Sequence, residues 1–204
     1  METSAKKPSE GPKSDVSKKA RLDGAGAIFI DRDGVINKTV VTYVTHPNLF
    51  EFEEKAVEGL KSLSSLGMPM IVVTNQSIIG RGLAKACTLL EIHGKMRKRL
   101  KERGIELHDV FYCPHAPNEM CGCRKPKTGM LDLAVEKYGI DLKKSYVIGD
   151  TTGDILMGNR AGCATILVQT GYAGGDKRHP EAKPDFIAKD LEDAYGIIRK
   201  IERK

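Results

Sequence analysis

The chain has 204 residues, 40% of them hydrophobic, with no Trp and a formal net charge of +6, which allows one aliphatic core and is too modest a charge to argue by itself for nucleic acid. No apolar run approaches membrane-spanning length, and the amino terminus has no apolar stretch suited to a signal peptide. A reducing, cytoplasmic setting is therefore expected, and there the closely spaced members of its five cysteines read as metal ligands rather than as halves of disulfides.

Residues 1–25 are Lys, Ser, Pro and Gly with almost nothing apolar. They read as a disordered, basic and dispensable tail ahead of a single domain over 26–204, with Lys18-Lys19-Ala20-Arg21 as a solvated cluster. Ala27 to Ile30 run straight into Asp31, the pattern of a buried parallel strand surfacing at its carboxyl end. After a loop over 38–49, Ala56, Val57, Leu60, Leu63 and Leu66 recur at helical spacing up to Gly67. Met70 to Val73 form a second strand, which empties into Thr74, Asn75, Gln76 and Ser77. Gly80-Arg81-Gly82 then leads into a helix to about Arg103, with Leu89, His93, Met96 and Leu100 on one stripe and His93 as a core residue without a partner.

Val110 to Tyr112 form a third strand leading to Cys113, and Thr128 opens a helix containing Met130, Leu131, Ala134, Val135 and Tyr138. Tyr146 to Ile148 form a fourth strand that ends in Gly149-Asp150, followed by a helix from Thr151 to Ala161. Two more strands, Ala164 to Val168 and Phe186 to Ala188, precede an amphipathic helix from Leu191 to Ile201. Strands alternating with helices predict an α/β fold, a doubly wound parallel sheet with helices on both faces. Cys87 and Cys163, in apolar surroundings, are expected to be buried thiols.

Four strands thus end in polar clusters: Asp31 with Asp33, Thr74 with Asn75, Cys113 onward to Lys125, and Asp150 with Asp154. In a parallel sheet these ends share one edge, where ligands bind. Asp-x-Asp-Gly alone also opens calcium loops. Combined with the other clusters, the pair suits a hard cation and a phosphate, because phosphoryl transfer needs a nucleophile, an acid/base, a cation and donors for the phosphate oxygens. Asp31 would be the nucleophile, Asp33 the acid/base, Thr74 and Asn75 donors to the phosphoryl oxygens, and Lys125 a positive charge that keeps Asp31 ionised. Asp150 would complete a Mg²⁺ site, and Asp154 would orient water or a neighbour. Cys113, His115, Cys121 and Cys123 make up Cys-x-His-x₅-Cys-x-Cys, a Cys₃His set that closes a structural Zn²⁺ site and fixes the segment carrying Arg124 and Lys125.

The motifs DRDGVIN (31–37), VVTNQSIIGRG (72–82), CRKPKTGM (123–130) and IGDTTGD (148–154), in this order, resemble the four motifs of the haloacid dehalogenase superfamily of phosphatases. The likeness extends over residues 26–170 and is to the histidinol-phosphate and D,D-heptose 1,7-bisphosphate phosphatase branch. The resemblance implies a Rossmann-like sheet without a large cap domain but with a small zinc loop. It also implies hydrolysis of a small phosphorylated metabolite through an aspartyl-phosphate on Asp31, with Mg²⁺ held by Asp31, the carbonyl of Asp33, and Asp150. Arg124 matches a residue of substrate recognition. Thr151 stands where the heptose phosphatases commonly carry Lys, and the loop over 38–49 does not match closely; both lie where the substrate beyond the phosphate is read, and Asn75, Arg124 and Thr151 are the expected substrate-binding residues. A polynucleotide 3′-phosphatase is the alternative, since TNQSIIGRG and RKPKTGM are also similar to motifs of that group; the zinc ligands and the lack of an aromatic, basic run for stacking bases weigh against nucleic acid. A monomer with no membrane association is expected.

Overall fold

Ile28, Phe29 and Ile30 carry no polar group to present to water, and all three are fully buried as β2 (Ile28–Ile30), the middle strand of a seven-stranded sheet. The computed structural model describes residues 11–15, 19–40 and 43–203. Around β2 stand β3 (Met70–Asn75), β4 (Asp109–Cys113), β5 (Tyr146–Gly149), β6 (Ala164–Val168) and β7 (Phe186–Ala188), with β1 (Lys13–Ser14) at one edge, in the order β1-β4-β3-β2-β5-β6-β7. All pairings are parallel except β1 with β4. Ile30 stands level with Val72 on one neighbour and Ile148 on the other.

The two-residue alternation of each strand builds two cores. Ile28, Ile30, Val72, Val110, Ile148 and Ile166 face α1 (Ala56–Ser64), α2 (Ala86–Lys101) and α5 (Leu191–Glu202). Phe29, Ile71, Val73, Phe111 and Val147 face α3 (Gly129–Tyr138) and α4 (Thr152–Ala161). Helices on both faces leave no wet side, which is why these strands read as continuous apolar runs. From β2 the chain winds outward through β3 and β4, then returns to β5 and winds the other way through β6 and β7. The reversal falls between β2 and β5, and the crevice outside their carboxyl ends is where an open α/β sheet binds ligands. Among the described residues no helix is long and apolar enough to cross a membrane.

Two expectations fail. Residues 1–25 do not lie outside the fold where they are described: Lys13–Ser14 pair with β4, the Lys19 ammonium meets Glu106, and the Leu22 N–H donates to the Tyr138 carbonyl. The outer edge of β4 offers unpaired backbone groups, and a short polar segment can satisfy them without supplying a core of its own. Residues 1–10 and 16–18, with Lys18, lie outside the described residues. Cys163 is buried, but Cys87 is exposed, because it sits on the side of α2 opposite the Leu89, Ile92, His93, Met96 and Leu100 stripe.

Helices α1 and α5 meet at Gly59, where a Cβ would stand 2.5 Å from Leu191 Cβ and 2.7 Å from the Glu192 backbone nitrogen. Gly59→Ala should therefore destabilise the protein by about 1–3 kcal/mol from overpacking, in spite of Ala's better helix propensity. Urea denaturation measures this, and an unchanged or raised midpoint would mean that the seam between the two helices can open.

Candidate active site

Lys125 lies in the loop between β4 and α3, yet its ammonium is buried at the carboxyl end of the sheet. Nζ is 2.8 Å from Asp31 Oδ1, just past β2, and 2.5 Å from Asp154 Oδ1 on α4, and it donates to the Val73 carbonyl at 3.1 Å. With three partners for three N–H bonds, its position is fully determined. Asp154 is itself fixed by the cap of α4: its Oδ2 accepts from the Thr151 N–H and hydroxyl, and its own N–H donates to Thr151 Oγ1.

Asp150, at the end of β5, accepts from the Tyr172 N–H through Oδ2 at 2.8 Å, while its Oδ1 is buried with no partner among the described residues. Gly34 and Gly171 enclose it, since a Cβ on either would stand 2.3 or 2.1 Å from Asp150 Oδ2, and both have positive φ, at 84° and 56°. Asp31, Asp150 and Asp154 thus set three carboxylates against one ammonium, with donor oxygens within 4.8 Å of one another. Burial, then repulsion from Asp154, pushes the Asp31 carboxyl up to about 7 despite Lys125. Burial and the charges of Asp31 and Asp154 push Asp150 up to about 8. For Lys125 burial acts downward, but Asp154 and Asp31 outweigh it and raise its pKa. An excess of negative charge, an orphaned buried oxygen and an all-oxygen donor set fit a hard divalent cation.

Asp33 has a different environment. Arg32 grips both its oxygens, at 2.8 and 2.9 Å, with Asn37 Nδ2 on Oδ1 and Gln76 Nε2 on Oδ2. Burial acts upward on its pKa, but the Arg32 charge and these donors prevail and hold it below the usual carboxylate range. About a third of its side chain is open to the cleft. Thr74 Oγ1 accepts from Gln76 Nε2, which leaves its own proton to donate. The structure gives Asn75 another task than the one expected: its Oδ1 accepts from the Lys125 N–H and its Nδ2 reaches the Lys125 carbonyl, so it holds the lysine's backbone. The Thr151 hydroxyl is likewise committed to Asp154.

Cys113, His115, Cys121 and Cys123 are buried together beside this centre. Cys113 Sγ is 3.5 Å from His115 Nδ1 and 3.6 Å from Cys121 Sγ, and His115 Nδ1 is 3.2 Å from Cys123 Sγ. Tetrahedral Zn²⁺ with ordinary bond lengths requires donor–donor edges of about 3.6–3.8 Å, so this set is already near the required size. The hydrogen bond with Cys123 and the neighbouring donors push Cys113 down to about 5, whereas the same bond and burial raise Cys123.

The cleft above Asp31 and Asp33 has a volume of about 550 Å³ and is rimmed by Arg124, Lys127, Arg160, Arg178 and His179. Four basic side chains, Arg124, Lys127, Arg160 and Arg178, outnumber the Asp176 carboxylate there, so the rim is cationic, and burial lowers the Arg124 pKa. The structure therefore brings together every expected site residue. Sequence reasoning missed the grip of Arg32, Asn37 and Gln76 on Asp33, and the contribution of Arg160 and Arg178. Arg32 and Gln76 lie inside the motifs already singled out, but nothing in the spacing reveals what they hold. Arg178 lies in the connection after β6, which has no motif.

The family model described as HAD-hydrolase-like matches residues 122–194. The D-glycero-alpha-D-manno-heptose-1,7-bisphosphate 7-phosphatase of Photorhabdus laumondii is 40% identical over 182 residues, which span 85% of this chain and 95% of the relative. The D-glycero-beta-D-manno-heptose-1,7-bisphosphate 7-phosphatase of Pseudomonas aeruginosa is 38% identical, over 80% of this chain and 92% of its own. The crystal structure of D,D-heptose 1,7-bisphosphate phosphatase from B. bronchiseptica, complexed with magnesium and phosphate, superposes with a TM-score of 0.79 at 31% identity, covering 86% of this chain and 99% of that one. Likeness of this extent, over a carboxylate centre of this design, makes the chain a phosphatase belonging to the haloacid dehalogenase-like superfamily, in the branch of the D,D-heptose 1,7-bisphosphate phosphatases.

Proposed function

We propose that the protein removes one phosphate from a small sugar bisphosphate in a Mg²⁺-dependent reaction with an aspartyl-phosphate intermediate on Asp31. The observation that carries this is the Lys125 ammonium held between Asp31 and Asp154, beside the unpartnered Asp150 oxygen and below a cationic rim. The magnesium and phosphate bound in the Bordetella enzyme, and the bisphosphates named for the relatives, support the cation and the substrate class.

In this reading an Asp31 oxygen attacks phosphorus, the bond to the ester oxygen breaks, and Asp33 supplies the proton that the leaving alkoxide takes. A water oxygen then attacks the phosphorus, Asp33 takes its proton, and the Asp31–phosphorus link breaks to release inorganic phosphate. The donors on Asp33 favour its ionised form and thus its work as a base; the proton needed in the first half is gained against those donors. Lys125 orients Asp31 and favours its anion against burial, the Thr74 hydroxyl donates to the phosphoryl group, and Asn75 and Thr151 act through Lys125 and Asp154. Asp31, the Asp33 carbonyl and Asp150 would hold Mg²⁺, which when bound supplies positive charge against the phosphoryl oxygens. Arg124, Lys127, Arg160 and Arg178 offer the second phosphate its partners. Zinc on Cys113, His115, Cys121 and Cys123 is structural in this reading and anchors the segment that presents Arg124 and Lys125.

The direct test is a panel of sugar mono- and bisphosphates with a 3′-phosphorylated oligonucleotide, assayed with Mg²⁺ on wild type and Asp31→Asn. A bisphosphate should give the highest kcat/KM, and the variant should stay folded with no measurable turnover. Faster release from the oligonucleotide would overturn the substrate class, and an active variant the covalent mechanism. A second expectation concerns pH. Because Asp31 and Asp150 bind protons more tightly folded than unfolded, their contribution favours the metal-free fold at low pH and is lost as pH rises through about 7 to 8. Mg²⁺ should therefore raise Tm more at pH 8 than at pH 6, and a larger shift at pH 6 would contradict this charge balance. For zinc, Cys121→Ser combined with Cys123→Ser should remove one equivalent of metal and leave the sheet folded. It should lower kcat by roughly 10²-fold in excess Mg²⁺, the scale expected for a displacement near 1 Å. Metal analysis beside kinetics decides this, and unaltered kcat and KM in the zinc-free variant would refute the anchoring role.

A further inference from the structure

The amino-terminal segment ends β1 at Ser14, and the next residue turns its side chain into the protein. The Asp15 N–H donates to the Val110 carbonyl at 3.1 Å, and its carboxylate, 7% exposed, has Oδ2 2.7 Å from His93 Nδ1. His93, fully buried on α2, has its Nε2 3.1 Å from Arg32 Nη1. Arg32, also fully buried, grips both oxygens of Asp33. Four side chains from the edge strand, a helix and the loop after β2 thus form an unbroken chain to the cleft.

The direction of each hydrogen bond follows from chemistry. A guanidinium has no acceptor, so His93 Nε2 must accept from Arg32 and carry no proton; the ring hydrogen is on Nδ1 and donates to Asp15. Burial, which disfavours the charged ring, agrees with a neutral His93. With Asp15 gone, the Nδ1–H would be buried without an acceptor. The alternative tautomer would set an Nε2–H against the Arg32 N–H groups. Either outcome loosens the guanidinium that holds Asp33. A carboxylate that fixes the tautomer of a histidine, which in turn orients the next group, is the arrangement that aligns metal-bound and catalytic histidines elsewhere. The other Asp15 oxygen is buried and has no partner among the described residues.

We infer that Asp15 is a positioning residue for the Asp33 carboxylate, acting through His93 and Arg32, so that the amino-terminal segment belongs to the working enzyme. This rests on Asp33 being the acid/base, and it reverses the expectation that residues 1–25 are dispensable. The role predicts a dependence on leaving group, because an aryl phosphate needs little protonation and an alkyl phosphate needs much.

The experiment compares kcat and KM for an aryl and an alkyl phosphate, with Mg²⁺, in full-length wild type, Asp15→Ala, Asp15→Asn, Ser14→Ala and Asp33→Asn. Esters are compared by kcat/KM, which covers the first phosphoryl transfer and not the later hydrolysis in which Asp33 is the base. Asp15→Ala should lower kcat/KM on the alkyl ester by roughly 10- to 100-fold, the range for groups that orient a catalytic ligand, with a much smaller loss in kcat/KM on the aryl ester. Asp15→Asn, whose amide oxygen can accept the same Nδ1–H bond, should recover most of the loss. Ser14→Ala, which removes the hydroxyl's 2.6 Å bond to Asp109 but leaves the chain to Asp33 intact, should not discriminate between esters. Equal losses on both esters for Asp15→Ala, or none, beside a leaving-group-dependent loss for Asp33→Asn would overturn the inference alone. Equal losses for Asp33→Asn itself would overturn the acid/base reading and this inference with it.

Discussion

The site depends on one buried ammonium. Lys125 cannot be solvated where it stands, so it must be neutralised by Asp31 and Asp154, and those two carboxylates cannot be buried side by side without it. The mutual requirement ties together the end of β2, the loop after β4 and the first turn of α4. Removing the ammonium would strand the carboxylates, which in such an interior costs several kcal/mol. The balance still leaves the site short of positive charge, and Asp31 and Asp150 hold their protons up to about 7 and 8. The surplus of negative charge at this centre suits a hard divalent cation.

Much of the polar machinery serves to hold other polar groups. Asn75 holds the backbone of Lys125, Thr151 holds Asp154, Gly34 and Gly171 leave Asp150 its space, and Gln76 and Asn37 help hold Asp33. The Cys and His cluster joins the sheet to the loop, since Cys113 ends β4 while His115, Cys121 and Cys123 lie in the segment that runs to Arg124 and Lys125. Asp31 and Asp33, two residues apart, are shifted in opposite directions by their surroundings: burial and then a neighbouring carboxylate raise the first, while Arg32 and its fellow donors lower the second against burial. Two carboxyl groups with separated affinities for protons can divide the roles of nucleophile and acid/base.

How much of this the chain announces differs by level. The α/β class, six of the strands and the five helices were legible because buried parallel strands are continuous apolar runs and amphipathic helices repeat at 3.6 residues. That Asp31, Thr74 and Asp150 share one edge was legible as well, because the carboxyl ends of parallel strands lie together and a polar residue directly after an apolar run marks such an end. The grouping of Cys113, His115, Cys121 and Cys123 could be read from residue type and spacing. Less was legible where a residue's partner comes from a distant part of the chain. His93 looked like a core residue, and its two partners lie 78 and 61 positions away.

The sequence by itself therefore determined the sheet, the order of motifs and the kinds of group that meet at its carboxyl edge, since these depend on local pattern and on the geometry that any parallel sheet shares. Only the tertiary structure decided which groups face substrate and which hold their neighbours, where the cations of the rim come from, and that Lys13–Ser14 and Asp15 belong to the fold. The reason is physical. An edge strand joins a sheet through backbone hydrogen bonds that any side chains permit, and a buried carboxylate is tolerated only where a donor from elsewhere in the chain arrives to meet it, so neither leaves a trace in composition or spacing.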